Sequence, residues 1–163
     1  MFPIFRGPAR AVAFALAVAT PPAISPALAA STGGSDTGGA NTASAAQPGY
    51  AEAKAAADAG DYRGALKMLA VVVKAEPRNA DAWNLMGYSS RKLKQYDNAA
   101  RYYDAALKVD PQHLGALEYQ GELFVQIGAF DKARANLDRL RSLCGTCEEA
   151  TDLQTALSAA GQS

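Results

Sequence analysis

A period of about 34 residues in the second part of the chain constrains the fold more than any other feature of the sequence. When the sequence is shifted against itself by this period, residues of matching chemistry fall in register in three copies. The matching columns are Tyr62, Tyr96 and Phe130; Ala65, Ala99 and Ala133; Leu69, Tyr103 and Leu137; Ala53, Gly87 and Gly121; and Val72, Ala106 and Leu140. A fixed period of this length indicates a protein built from repeated supersecondary units.

Each copy is predicted to form two α-helices. The column that begins with Ala53 lies in the first helix, where a small residue lets two backbones come close, and the Ala65 column fills the same gap from the second helix. Pro77 and Pro111 are expected to end the second helices, because proline lacks a backbone donor and disfavours helix in the residue before it. Asn79 is a predicted N-cap for the helix that follows.

The middle copy carries the most complete pattern, and it resembles the tetratricopeptide repeat (TPR), a helix-turn-helix unit of about this length. The residues that carry the resemblance are Trp83, Met86, Gly87, Tyr96, Ala99, Tyr103, Ala106 and Pro111. In the outer copies, Gly49 stands in the column of Trp83 and Gly145 in that of the closing proline. The resemblance implies an all-α fold, a short right-handed α-solenoid of three repeats whose first helices line an inner groove.

The repeats are placed at about residues 46–79, 80–113 and 114–147, in a TPR domain that spans residues 48–160. The last repeat of a solenoid has no neighbour to cover its apolar side, so a capping helix is needed. We predict that helix at residues 147–160, where apolar residues recur at helical spacing. These are Ala150, Leu153, Leu157 and Ala160. Thr146, followed three residues later by Glu149, predicts a capping box at its start.

Residues 1–30 have the three parts of a cleavable secretory signal peptide. A start that carries Arg6 and Arg10 without an acid precedes a short apolar run, and a small-residue stretch follows. We expect cleavage near Ala29 or Ala30. A membrane anchor is the alternative, but a span needs about 20 apolar residues and two prolines interrupt this run earlier. The mature protein is therefore expected to be periplasmic or secreted, without stable membrane insertion.

Residues 31–47 contain no large apolar side chain and are predicted to form a disordered linker rich in Gly, Ser, Thr and Ala. The full sequence has 16 basic and 16 acidic side chains. Loss of the signal peptide removes two bases and no acid, which leaves 14 against 16. Nucleic-acid binding needs a surplus of positive charge. A nucleic-acid partner is therefore not expected.

Cys144 and Cys147 are the only cysteines, and two residues separate them. They are expected where the sixth helix ends and the seventh begins. An oxidising compartment favours a structural disulfide between them. A redox-active pair is the second interpretation, although Glu148 and Glu149 oppose a negative sulfur there. Metal binding is the third, but two cysteines are half of a zinc site, so we predict no metal ligands.

The inner groove is the predicted partner-binding surface. In the middle repeat, Trp83, Gly87 and Ser90 are expected to point into the stack, so other positions of the first helices face the groove. The predicted groove residues are Tyr50, Lys54 and Asp58 in the first repeat, Asn84, Tyr88, Arg91 and Lys92 in the second, and Glu118, Glu122, Val125 and Gln126 in the third. An ordinary solvated helix face is the alternative at any single position, but tyrosines tend to anchor interfaces.

The resemblance implies that this groove binds an extended peptide or a partner helix. The family's carboxylate clamp requires Lys, Asn and Arg at set positions of the first helices. Here Tyr50, Tyr88 and Glu118 occupy facing positions, so that type of recognition is not expected.

The sequence contains no Ser-His-Asp set, no paired carboxylates in an apolar pocket and no Gly-rich phosphate loop. His113, the only histidine, is expected to be a solvated loop residue. We therefore predict a protein that is not an enzyme, with no catalytic residues and no cofactor. It would be a periplasmic adaptor or scaffold for a protein or peptide partner in the cell envelope. The alternatives are a thiol-disulfide or metal-handling accessory factor that uses Cys144 and Cys147, and a small part of a larger envelope complex.

Overall fold

The computed structural model describes residues 49–162. The predicted signal peptide and the predicted linker lie outside these residues. Within them the regular structure is seven α-helices and no strand. The helices are α1 (Tyr50–Asp58), α2 (Tyr62–Ala75), α3 (Ala80–Lys92), α4 (Tyr96–Val109), α5 (Leu114–Gln126), α6 (Phe130–Cys144) and α7 (Glu148–Ala159). None of these helices is long and apolar enough to cross a membrane.

The helices pack as successive pairs. α1 contacts α2, α3 contacts α4, and α5 contacts α6, while α2 and α4 also contact the first helix of the next pair. The first helices touch one another along the stack, α1 with α3 and α3 with α5, and α7 packs on α5 and α6. The predicted all-α solenoid is confirmed.

The residues of each sequence column occupy equivalent places in the core. Ala65, Ala99 and Ala133 are fully buried. In the next column Leu69 and Tyr103 are also fully buried, and Leu137 is 3% exposed. The aromatic column supplies the first residue of α2, α4 and α6. Truncation of a fully buried leucine such as Leu69 to alanine costs roughly 2–5 kcal/mol, because a cavity adds to the lost burial. The repeated columns therefore hold the stack together.

The ends of several helices are fixed by side-chain caps. Asn79 Oδ1 accepts a hydrogen bond from the Ala82 amide at 2.9 Å, which confirms the predicted cap. α2 and α4 end just before Pro77 and Pro111, as predicted. His113 lies in the loop before α5, as predicted, but the prediction that it is merely solvated is wrong, because it is the N-cap of α5 and its ring is half-buried. Its Nδ1 accepts from the Ala116 amide at 3.2 Å, and its Nε2 lies 3.1 Å from an Asp81 carboxylate oxygen.

α7 covers the open end of the last pair. Ala150, Leu153 and Leu157 are buried against α5 and α6. The predicted capping box is wrong, because Cys147 and not Thr146 is the N-cap residue, and it makes no side-chain cap bond. Ala160 follows the helix and is exposed rather than part of its apolar face.

A buried amide network joins the last three helices of the repeats. Asn136 of α6 donates to the Leu117 carbonyl and to Gln120 Oε1, both at 3.0 Å. Gln120 in turn donates to Asp104 of α4 at 2.7 Å. Because buried amides without partners are costly, this network fixes the relative positions of α4, α5 and α6.

Candidate functional site

Three tyrosines from successive helix pairs contact one another in a row. Tyr88 of α3 lies with its ring centroid 6.0 Å from that of Tyr62 in an edge-to-face arrangement. On the other side the Tyr88 ring is 5.3 Å from that of Tyr119 on α5. All three side chains are half-buried, so each keeps surface for a partner. We call Tyr62, Tyr88 and Tyr119 the tyrosine row.

Basic side chains lie on the tyrosine row. The Arg91 guanidinium is 5.8 Å from the Tyr88 centroid and 5.6 Å from that of Tyr119. Lys92 Nζ is 5.4 Å from the Tyr88 centroid. These distances are within the range of cation–π attraction. Arg91 also pairs with Glu122 at 2.5 Å and is only 8% exposed, so α3 and α5 are linked across the groove by charge as well as by aromatic contact.

Several buried polar atoms belong to α3 and α4, at Ser89, Ser90, Arg91 and Tyr103. The Tyr103 side chain is fully buried, and burial raises the pKa of its hydroxyl far above the ordinary value. The Arg91 charge opposes that rise in pKa. At these residues, four buried groups have no hydrogen-bond partner within residues 49–162: the hydroxyls of Ser89, Ser90 and Tyr103, and Arg91 Nε. Such groups are sites where a water molecule can bind.

Carboxylates collect at the C-terminal end of the groove. Burial raises the pKa of Glu118 to about 8, and the charges of Glu122, Asp152 and Glu149 contribute to that rise, while Arg91 opposes it. Burial, followed by the charge of Glu118, also raises the pKa of Tyr119 to about 12. We call Glu118, Glu122, Glu149 and Asp152 the acidic end. α5 supplies two of its members and α7 the other two.

The structure brings five of the predicted groove residues together: Tyr88, Arg91, Lys92, Glu118 and Glu122 are linked by the contacts above. Asn84 is half-buried on the same helix as Tyr88, and its Oδ1 has no partner among the described residues. Gln126 is exposed at the last position of α5, and Val125 packs against the core of the last repeat.

The predicted groove residues of the first repeat are placed apart from that cluster. Lys54 and Asp58 form an exposed ion pair at 2.7 Å on α1. Tyr50 packs on the core of the first repeats, and burial followed by the charge of Asp81 raises its pKa. Exposed pairs of this kind stabilise little, so the Lys54–Asp58 pair holds its side chains less firmly than the Arg91–Glu122 pair does.

Sequence reasoning did not single out Tyr62, Tyr119, Glu149 and Asp152, which the structure associates with the predicted groove residues Tyr88, Arg91 and Glu118. Tyr119 lies three residues before Glu122, a spacing that puts both on one helix face. Asp152 stands one repeat period after Glu118 and therefore in the groove column of the capping helix. These two signals were present in the sequence, whereas the place of Glu149 depends on how α7 begins.

The cysteines lie beside this end of the groove. Cys144 is the last residue of α6 and Cys147 the N-cap of α7, with their Cα atoms 5.6 Å apart and their sulfurs bonded. A Cα separation of this size suits a disulfide. An oxygen of Glu149 lies within 4.8 Å of both sulfurs. If the pair were reduced, two thiolates and one carboxylate could offer three ligand atoms to a soft divalent metal.

Comparison with protein families identifies the repeat unit. Residues 80–113 match the model of the tetratricopeptide repeat family. Tetratricopeptide repeat protein 37 of Xenopus laevis is 32% identical over 71 residues, which is 44% of this chain and 4% of that protein. Superkiller complex protein 3 of Homo sapiens is 31% identical over 107 residues, or 57% of this chain and 7% of that protein. The chain therefore spans less than a tenth of either relative's length.

Solved structures share the fold. The TPR2B domain of yeast Sti1, in a complex with pHsp70, superposes with a TM-score of 0.64 at 19% identity, over 69% of this chain and 92% of that one. The Yersinia enterocolitica type III secretion chaperone SycD, in complex with a peptide of the translocator YopD, gives a TM-score of 0.62 at 20% identity, over 69% and 88% of the two chains. At these identities the likeness is one of fold.

Proposed function

We propose that this chain, a tetratricopeptide-repeat protein, is a non-enzymatic adaptor that holds an extended segment or a helix of a partner protein in its inner groove. The observation that carries the proposal is the tyrosine row, with Arg91 over two of its rings. Tyrosine and arginine are among the residues most often found at the energetic centre of interfaces. Here the three tyrosines are half-buried and Arg91 is buried, and their contacts with one another and with Glu122 hold them in place.

The rigidity of the row favours binding. Tyr88 is held between two other rings, and Arg91 is held by Glu122, so little side-chain freedom remains to be lost when a partner docks. The peptide of YopD in the SycD structure, and pHsp70 in the Sti1 structure, are ligands of those proteins on the same fold. They support a docking role without identifying the partner of this chain.

Photo-crosslinking in living cells tests the groove. A photoreactive amino acid at Tyr88 should capture a partner protein, because that position is at the centre of the row. The matched control carries the same amino acid at Lys67, an exposed position of α2. Capture from Lys67 with none from Tyr88 would contradict the groove as the docking surface.

We further propose that the adaptor acts in the bacterial periplasm or outside the cell. The support is the order of a basic start, an apolar run and the small residues up to Ala30, followed by a polar linker. Cell fractionation combined with N-terminal sequencing tests this proposal. The mature chain should leave the cytoplasm and begin at Ala30 or Ser31, and a full-length cytoplasmic protein would contradict export.

The position of Glu149 beside both sulfurs favours a second candidate function, a thiol-disulfide or metal-handling accessory factor. In that case the groove would dock a client and Cys144 with Cys147 would carry the chemistry. The reduction potential of the pair separates the two functions. A value far below the range of periplasmic exchange proteins indicates a structural staple, and a strongly oxidising value supports the second candidate.

A further inference from the structure

The acidic end contains one largely buried glutamate, Glu118, whose carboxylate has no partner among the described residues. Glu122 is paired with Arg91 at 2.5 Å, but Glu118 makes no hydrogen bond or ion pair with any other residue of the described domain. Glu118 is nevertheless only 7% exposed. Charging a carboxylate in such a place is costly without a partner. Such a group is therefore uncommon unless a bound cation pairs with it or a proton neutralises it.

The charges around Glu118 are mostly of its own sign. Glu122 faces it from α5, and Glu149 and Asp152 face it from α7, while Arg91 of α3 is the one opposite charge that acts on it within the described domain. Arg91 is already engaged by Glu122. The neighbouring amide network brings no positive charge. It consists of the neutral side chains of Asn136 and Gln120, and of the Asp104 carboxylate, which accepts from Gln120. The site therefore has an excess of negative charge.

We propose that the acidic end receives a lysine or arginine side chain of the partner, and that Glu118 is its central acceptor. This inference rests on the proposed function and adds the chemistry of the partner. The ammonium or guanidinium would donate hydrogen bonds to Glu118 and be attracted by Glu149 and Asp152. Its aliphatic stem would pack on Tyr119, whose ring lies beside the site and already carries the cation of Arg91.

Binding of that cation is coupled to a proton. Burial and the neighbouring carboxylates raise the pKa of Glu118 to about 8, so the group is largely protonated in the empty groove at neutral pH. When the cationic side chain enters, the Glu118 acid releases its proton to solvent and the carboxylate accepts the new hydrogen bonds. The affinity for a basic peptide should therefore rise with pH up to about 8.

Peptide selection on the full chain tests the inference. A phage-displayed library of random peptides is panned against the immobilised wild-type protein and against two variants. Glu118→Gln removes the negative charge and the titration of the central acceptor at nearly constant size. Glu148→Gln is the matched control, because Glu148 is an exposed residue of the first turn of α7 and is not among the charges that act on Glu118.

Peptides selected by the wild type should share one Lys or Arg position. The affinity of a selected peptide should fall by at least about tenfold in Glu118→Gln, as expected for loss of a charged hydrogen bond, and stay unchanged in Glu148→Gln. Between about pH 6 and pH 8 the affinity should rise for the wild type and stay level for Glu118→Gln. Circular dichroism verifies that both variants are folded.

Three results would overturn the inference, each with a different meaning. Peptides that bind without a shared basic position would refute it and leave the groove adaptor intact. Failure of every protein to select any peptide would refute the adaptor as well. Displacement of a selected peptide by millimolar calcium, with calcium itself binding in the absence of peptide, would show that the acidic end is a metal site instead.

Discussion

The Tyr103 ring packs directly over Gly87, so that a Cβ added to the glycine would collide with the ring. Gly87 lies in α3 and Tyr103 in α4, and this contact closes the central helix pair beneath the tyrosine row. Gly87→Ala should therefore destabilise the domain by about 1–3 kcal/mol, despite the higher helix propensity of alanine. Urea unfolding followed by circular dichroism measures the change.

Gly115→Ala is the matched control for that substitution. Gly115 also lies in a helix, but the nearest atom to an added Cβ is the end of the Asn84 side chain at 3.3 Å, which can shift. The control should be neutral or slightly stabilising. Equal losses in the two variants would mean that glycine at position 87 is not needed for the close approach of Tyr103.

Lys94 adopts a left-handed backbone conformation, with φ at 59°. Gly60 and Gly128, which stand one repeat period before and after it, do so at 82° and 76°. A residue with a side chain pays a steric penalty in this region that glycine avoids. Lys94→Gly should therefore stabilise the protein by roughly 0.5–1 kcal/mol, seen as a higher urea midpoint.

The converse changes are the controls for Lys94. Gly60→Ala and Gly128→Ala should each destabilise by about 1 kcal/mol. No atom lies within 4 Å of the Cβ that either would add, so the loss reports backbone conformation alone. A destabilised Lys94→Gly variant would indicate that the lysine side chain makes a stabilising contact that outweighs its backbone strain.

The fold could be predicted from the sequence because each repeat packs in the same way. The same packing constraint therefore selects similar residues once in every period. The Ala65 column stays small since the same two backbones meet there in each repeat, and the same constraint recurs with every period. The left-handed turn that contains Gly60, Lys94 and Gly128 obeys the same period, but lysine breaks its chemical pattern. A period search that compares only side-chain chemistry therefore passes over that column.

The site was less predictable because its contacts join different repeats. Tyr119 has Leu85 in its column one repeat earlier, so no repeated signal marks it. It belongs to the groove because Tyr88 and Arg91 reach it from α3. Glu149 belongs to the acidic end through α7. The apolar residues of α7 predict that this helix covers the core, but they do not predict what its polar face contacts. Such relationships depend on the geometry of the stack.

Substitution of His113 should lower the stability of the domain unless the new side chain can also accept the hydrogen bond of the helix cap. His113→Ala should cost about 0.5–2 kcal/mol, since it removes the acceptor for the Ala116 amide. His113→Asn should retain most of the stability, because asparagine is a good N-cap residue. Thermal unfolding of both variants provides the measurement. If the asparagine variant is as unstable as the alanine variant, the contribution of His113 comes from its contact with Asp81 instead.

The cysteine pair is expected to hold the start of α7. Closing so short a loop contributes about 2 kcal/mol at most by chain entropy. The double variant Cys144→Ser with Cys147→Ser should therefore unfold at a lower urea concentration, and reductant should lower the wild-type midpoint to the same value. Reductant should leave the double variant unchanged. A wild-type midpoint that does not respond to reductant would argue against a stabilising disulfide.

Glu118 should make the stability of the folded domain depend on pH in an unusual direction. Its pKa is about 8 in the folded protein and near 4.5 in an unfolded chain, because burial and neighbouring carboxylates disfavour its charge. Between these two values the folded state holds a proton that the unfolded state has lost. Its contribution to stability is fully present below about pH 4.5 and is lost as the pH rises through about 8.

Comparison of the wild type with Glu118→Gln isolates this effect, since other groups titrate alike in both. The free energy of unfolding of the wild type should fall relative to that of the variant between about pH 5 and pH 8, by up to about 1.4 kcal/mol per pH unit. Urea unfolding across that range measures the difference. A difference that stays constant with pH would show that Glu118 ionises in the folded protein as it does in the unfolded chain, so that burial in the groove imposes no cost on its charge.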